Sequence, residues 1–100
     1  MNIYLLTCLA VAAFSANALA LDVVKCQNLR WKLIEKGTPA TYRGSVKAGS
    51  AKVLDIEIRN SKGIIGQTKA FPNAGGNWQA RVWGDYRIKR SHRVKIYCKN

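Results

Sequence analysis

From Trp78 to Cys98 the chain alternates. Trp78, Ala80, Val82, Tyr86, Ile88, Val94, Ile96 and Cys98 take even positions, whereas Gln79, Arg81, Asp85, Arg87, Lys89, Arg93 and Lys95 take odd ones. A period of two is that of strands with one buried and one wet face. The phase survives two interruptions, Gly84-Asp85 and Lys89 to His92. The pattern therefore predicts consecutive antiparallel strands joined by a bulge and a turn. It also predicts that the odd-numbered cations Arg81, Arg87, Lys89, Arg93 and Lys95 share one solvent-facing plane.

Upstream, the same reasoning gives a short strand at Leu21–Cys26 and another at Thr41–Lys47, with Tyr42 and Val46 on one face. Lys52–Arg59 is the clearest case: Leu54, Ile56 and Ile58 face in, while Asp55, Glu57 and Arg59 face out. Asn60–Gly63 reads as a hairpin turn and Ile64–Phe71 as the returning strand. Residues 72–77 read as the longest loop. The segment 28–36 reads two ways. As a helix it has Asn28 as N-cap, Leu29 and Leu33 at i,i+4, Gly37 as C-cap and Pro39 just beyond. As a strand it alternates Leu29, Trp31 and Leu33 against Arg30 and Lys32. Period does not decide between them.

The first twenty residues read differently. Leu5–Phe14 is an apolar run and Ala18-Leu19-Ala20 a small-residue cleavage site, although a positive n-region is missing. This is the pattern of a secretory signal peptide, too short for a membrane span. Residues 21–100 are then one small secreted domain. Loss of Cys8 with the leader leaves Cys26 and Cys98, which in an oxidising compartment read as one disulfide tying the ends together. Two distant cysteines and one histidine are too few ligands for a metal site.

The leader holds no charge, so all 17 Lys and Arg and all 5 Asp and Glu fall on residues 21–100, giving +12. Residues 81–100 hold seven Lys or Arg against Asp85 alone. So one-sided a balance points to an anionic partner: nucleic acid, anionic lipid or acidic polysaccharide.

Candidate chemistry is sparse. Glu57 as general base, His92 as general acid and Arg81 beside a developing phosphorane charge would suit attack of a 2′-hydroxyl in RNA cleavage. Each also has a plain reading. Glu57 can pair with a neighbouring cation, Arg81 can belong to a general basic face, His92 can be a turn residue, and Tyr42 can pack in the core. Trp83 shares the parity of the cations; it either stands among them, where bases could stack on it, or turns inward at the Gly84-Asp85 bulge. No zinc spacing, P-loop, nucleophile elbow or calcium loop is present.

Four stretches carry a family resemblance: Cys26 paired with the terminal Cys98, Trp31–Gly37, Gln79–Trp83, and Phe71-Pro72 followed by Asn77–Gln79. In these the chain resembles a shortened member of the fungal guanyl-specific ribonuclease superfamily. Within it, the likeness is to the small RNase-like effectors secreted by plant-pathogenic fungi. The resemblance implies that Tyr42 and Arg81 contact phosphate, Glu57 is the base and His92 the acid. The sequence departs from the pattern at Gly44, where active enzymes carry a histidine, and in the short Cys26–Trp31 interval. His92 also lies nearer the final cysteine than the family's acid. An incomplete acid–base set matches the effectors that keep the fold without the activity.

The resemblance thus implies an α+β fold: an antiparallel sheet with one short helix at about residues 27–36, its ends tied by the disulfide. A small all-β sandwich is the alternative. The expected function is that of a secreted, non-catalytic, monomeric cationic effector without cofactor, engaging host RNA or a host protein through Arg81, Trp83, Arg87, Lys89, Arg93 and Lys95. A cationic antimicrobial protein acting on membranes and an active ribonuclease are the competing expectations.

Overall fold

The computed structural model describes residues 21–100; the expected leader, residues 1–20, lies outside them. The strands are β1 (Val23–Val24), β2 (Arg30–Glu35), β3 (Ala40–Ser45), β4 (Val53–Asn60), β5 (Gly63–Ala70), β6 (Asn77–Val82) and β7 (Arg93–Lys99). They form two antiparallel sheets, ordered β1-β7-β4-β5 and β2-β3-β6. Among the described residues there is no helix, so the fold is all-β.

The helix expected at 27–36 is therefore corrected to a strand. Asn28, the would-be cap, has φ 54°, a left-handed conformation that Asn tolerates. Beyond it Trp31 pairs with Gly44, and Leu33 with Tyr42. A helix would have used only local hydrogen bonds and brought Leu29 and Leu33 together. The strand instead places Leu29 and Leu33 against the common core and satisfies its backbone on β3. Long-range pairing decides a segment whose local preference is balanced. Gly44 makes room for the crossing, because a Cβ there would lie 2.5 Å from the ring of Trp78.

The two sheets pack face to face around one core. From the first sheet come Leu54, Ile56, Ile58 and Cys98; from the second come Ala40, Tyr42, Trp78, Ala80 and Val82. Ile88, from the connection between β6 and β7, joins them and is fully buried. Along one side the sandwich closes: Gly66 of β5 bridges Gly84, just past β6, and Asp85 N–H donates to the Ile65 carbonyl at 2.9 Å. Gly84 is needed there, since a Cβ would come within 2.7 Å of that carbonyl oxygen. The opposite side stays open. There the free edge of β2 faces β7, and the Cys26–Cys98 disulfide, Cα–Cα 5.3 Å, ties the stretch between β1 and β2 to β7.

The even-odd phase holds along β6 and at Ile88 and Cys98, but not at Tyr86. Expected inside, Tyr86 is 53% exposed, because the segment after Gly84 leaves the ladder and pairs only through isolated bridges. Trp83 stands outside, 63% exposed.

Candidate functional site

The shared plane of odd-numbered cations is not formed. Arg81 lies on β6, and Arg93 and Lys95 on β7, in different sheets. β6 and β7 both turn their even positions to the same core, so their odd positions point away from each other. Parity distinguishes inside from outside; it does not distinguish the two outsides of a sandwich. Arg87 and Lys89 sit on neither face, but in the connection on either side of buried Ile88.

The outer face of the first sheet carries both signs of charge. Asp55 pairs with Lys99 at 2.6 Å and with Lys69 at 3.9 Å, and Glu57 pairs with Arg59 at 2.9 Å. Lys95 sits 5.8 Å from the ring centre of Tyr97. A broad hollow of about 520 Å³ opens here between Val23, Lys69 and Tyr97, but Asp55 and Glu57 both line it. The second sheet presents Arg43, its guanidinium 3.4 Å from the Gln79 side chain, with Lys32 and Arg81 on the same side by register.

The four residues proposed for RNA cleavage do not converge. Glu57 is ion-paired to its own strand neighbour, Arg81 is on the far sheet, and Tyr42 is 1% exposed on the inner face of β3. Only Tyr42 and His92 meet, in the groove at the open side of the sandwich. That groove is three adjoining hollows. The first, about 390 Å³, is walled by Trp31, Leu33, Tyr42, Arg90, His92 and Val94, with Lys32 at its rim. The second, about 490 Å³, shares Trp31, His92 and Val94 and adds Arg59, Arg93 and Lys95. The third, about 440 Å³, shares Arg59, His92 and Arg93 and ends at Asn60, Ser61 and Ser91. An aromatic, half-apolar end thus grades into a wholly polar, cationic one.

Its walls are well fixed. Trp31 packs on Tyr42 with ring centres 5.9 Å apart at 59°, yet remains 44% exposed. The turn before β7 is closed by His92 N–H to the Lys89 carbonyl at 3.2 Å, and by Lys89 N–H to His92 Nδ1 at 3.1 Å. Because Nδ1 accepts, the neutral ring carries its proton on Nε2. No carboxylate lines any of the three hollows. Arg59, Arg90 and Trp31 are not among the site residues expected from the sequence, although Trp31, like Trp78 and Trp83, raises there the question of base stacking. The available signal for Trp31 was the strand reading of 28–36, which puts it beside Leu33 and across from Gly44.

Burial raises the pKa of Tyr42 above its ordinary 10.0, since the phenolate would lose its hydration. The folded protein then holds this proton more tightly than the unfolded chain. The corresponding stability is fully present below about pH 10 and is lost as pH climbs through the folded-state value. Thermal unfolding between pH 8 and 11 should show a steeper alkaline fall for the native protein than for Tyr42→Phe, which has no proton to lose. Parallel alkaline limbs would contradict this.

What the geometry defines is a disulfide-closed antiparallel sandwich with a basic, aromatic groove along its open side. No protein family, curated protein or solved structure matches this chain.

Proposed function

We propose that the protein is a secreted, non-catalytic cationic binding protein whose groove takes a single strand of RNA. The observation that carries this reading is Trp31: a half-exposed indole, propped by Tyr42, in a groove whose charged walls are Arg59, Arg90, Arg93 and Lys95. Aromatic platforms beside a basic channel suit single strands, because every base has a face to stack and every linkage a phosphate. That Glu57, Arg81, Tyr42 and His92 do not converge supports the binding reading over the ribonuclease one. The apolar leader and the Cys26–Cys98 disulfide, a kind of bond that forms mainly in oxidising compartments, support a place outside the cell that makes it. Its RNA is then that of another cell, which is the effector-like role.

The test is anisotropy of a labelled single-stranded RNA across a salt series. Log affinity should fall with log salt by about 0.7 per phosphate contact. Trp31→Ala should weaken binding by roughly 10- to 100-fold, the worth of one stacked base. Arg81→Ala, on the outer face of the second sheet and outside all three hollows, should change it far less. Salt-independent binding, or binding indifferent to Trp31, would overturn the proposal. Vesicles of anionic and neutral lipid form the second arm: dye release from the anionic ones without RNA binding would favour a membrane-active protein.

A further inference from the structure

Arg59 and Arg93 are direct cross-strand partners in the β4–β7 ladder. Like charges placed opposite each other destabilise a sheet, so this pair calls for a reason. Glu57 relieves only one member, taking Arg59 Nη2 at 2.9 Å and Nε at 3.3 Å. Arg93 Nη2 reaches the Asn60 carbonyl at 3.4 Å. The two arginines, with Asn60, Ser61, Ser91 and His92, line the polar end of the groove. The set offers two guanidiniums, two hydroxyls, an amide and an imidazole, and no acidic side chain.

We infer that this end is a phosphate-monoester subsite, which receives the terminal phosphate of a strand whose bases lie toward Trp31. The chemistry favours a monoester over an internal linkage. A diester offers two free oxygens and one charge. A monoester offers three oxygens and about −1.5 to −2 charge at neutral pH, which matches the surplus of donors and the otherwise unfavourable arginine pair. Arg59, fixed by Glu57, presents a pre-oriented fork, and guanidinium forks hold phosphate oxygens in pairs. The inference rests on the RNA-binding reading for the source of its phosphate, but the subsite itself is testable without RNA.

Two measurements decide it. In the first, one RNA sequence is titrated with a 5′-phosphate, a 3′-phosphate or hydroxyls at both ends. One phosphorylated form should bind roughly 10-fold or more tighter than the hydroxyl-ended strand, as charged hydrogen bonds warrant. In Arg93→Gln all affinities should drop and the ratio should collapse to about one. In the second, thermal unfolding is followed with inorganic phosphate, the ionic strength held constant with chloride. Phosphate at tenfold its Kd should raise the native Tm by roughly 5–10 °C and leave Arg93→Gln unmoved. Without phosphate, Arg93→Gln should melt no lower than the native protein, because a repulsion has been removed; this separates a lost site from a lost fold. A Tm that rises in phosphate while no RNA binds supports the subsite and overturns the RNA reading. Equal affinity for all three ends with no phosphate shift overturns the subsite and leaves RNA binding standing.

Discussion

Reduction of the Cys26–Cys98 disulfide should cost about 4 kcal/mol of folding stability. The two cysteines are 72 residues apart in sequence, and chain-entropy reasoning gives about that figure for a closed loop of such length. Native domains have only about 5–15 kcal/mol in total, so the loss is a large fraction of the whole. The placement sharpens the expectation. Cys98 is buried in β7, which pairs with β1 on one side and β4 on the other. Cys26 lies between β1 and β2, on the open side where the two sheets have no strand pairing between them. β1 is two residues long and cannot hold that side by itself. Denaturant unfolding with and without reductant is the measurement, with Cys98→Ala as a check that avoids a buried hydroxyl. A loss below about 1 kcal/mol would mean that packing alone holds the open side. Because the bridge anchors the chain just ahead of β2, and β2 carries Trp31, the proposed RNA affinity should decline in parallel even where the reduced protein remains folded.

The sequence makes some of this legible and hides the rest for definite reasons. Leu54, Ile56 and Ile58 alternate without interruption, and β4 is where the pattern puts it; the two cysteines likewise leave no other pairing among residues 21–100. At Arg30–Glu35 the same stretch satisfies a helix and a strand, and what decides is Gly44 and Tyr42, residues that meet it only after folding. Arg81 and Arg93 share a parity, which carries no information about which sheet each strand joins. The groove is less visible still, because it is built from pairings distant in sequence. Trp31 reaches His92 only because β2 is a free edge facing β7, and Arg59 reaches Arg93 only through the register of β4 on β7. Charge composition pointed to an anionic partner in general terms only, while the groove proposed for it emerged from topology.

Replacing Ile88 with Ala should lower stability by roughly 2–5 kcal/mol, the usual cost of deleting most of a buried Ile. Ile88 is fully buried between two exposed cations, Arg87 and Lys89. Its backbone exchanges two hydrogen bonds with Gly37, at 3.0 and 3.1 Å. With the Gly66–Gly84 bridge, this pins the long connection between β6 and β7. That connection carries Arg90 and His92 into the groove, so its rigidity is part of the site. On the proposed RNA-binding reading, loosening it means that RNA must order those side chains on binding, at a cost of roughly 0.5–1.5 kcal/mol for each. Affinity should therefore fall several-fold in Ile88→Ala, although Ile88 lines none of the three hollows of the groove. Ile88→Val, which removes one methylene, should cost about 0.5–1.5 kcal/mol and leave binding nearly intact. Hydrogen exchange at the Gly37 and Ile88 amides reports the mechanism directly: protection should drop in the Ala variant ahead of any change at β4. If those amides stay protected while affinity falls, the connection is held by something other than this side chain, and the link between a core residue and the groove is broken.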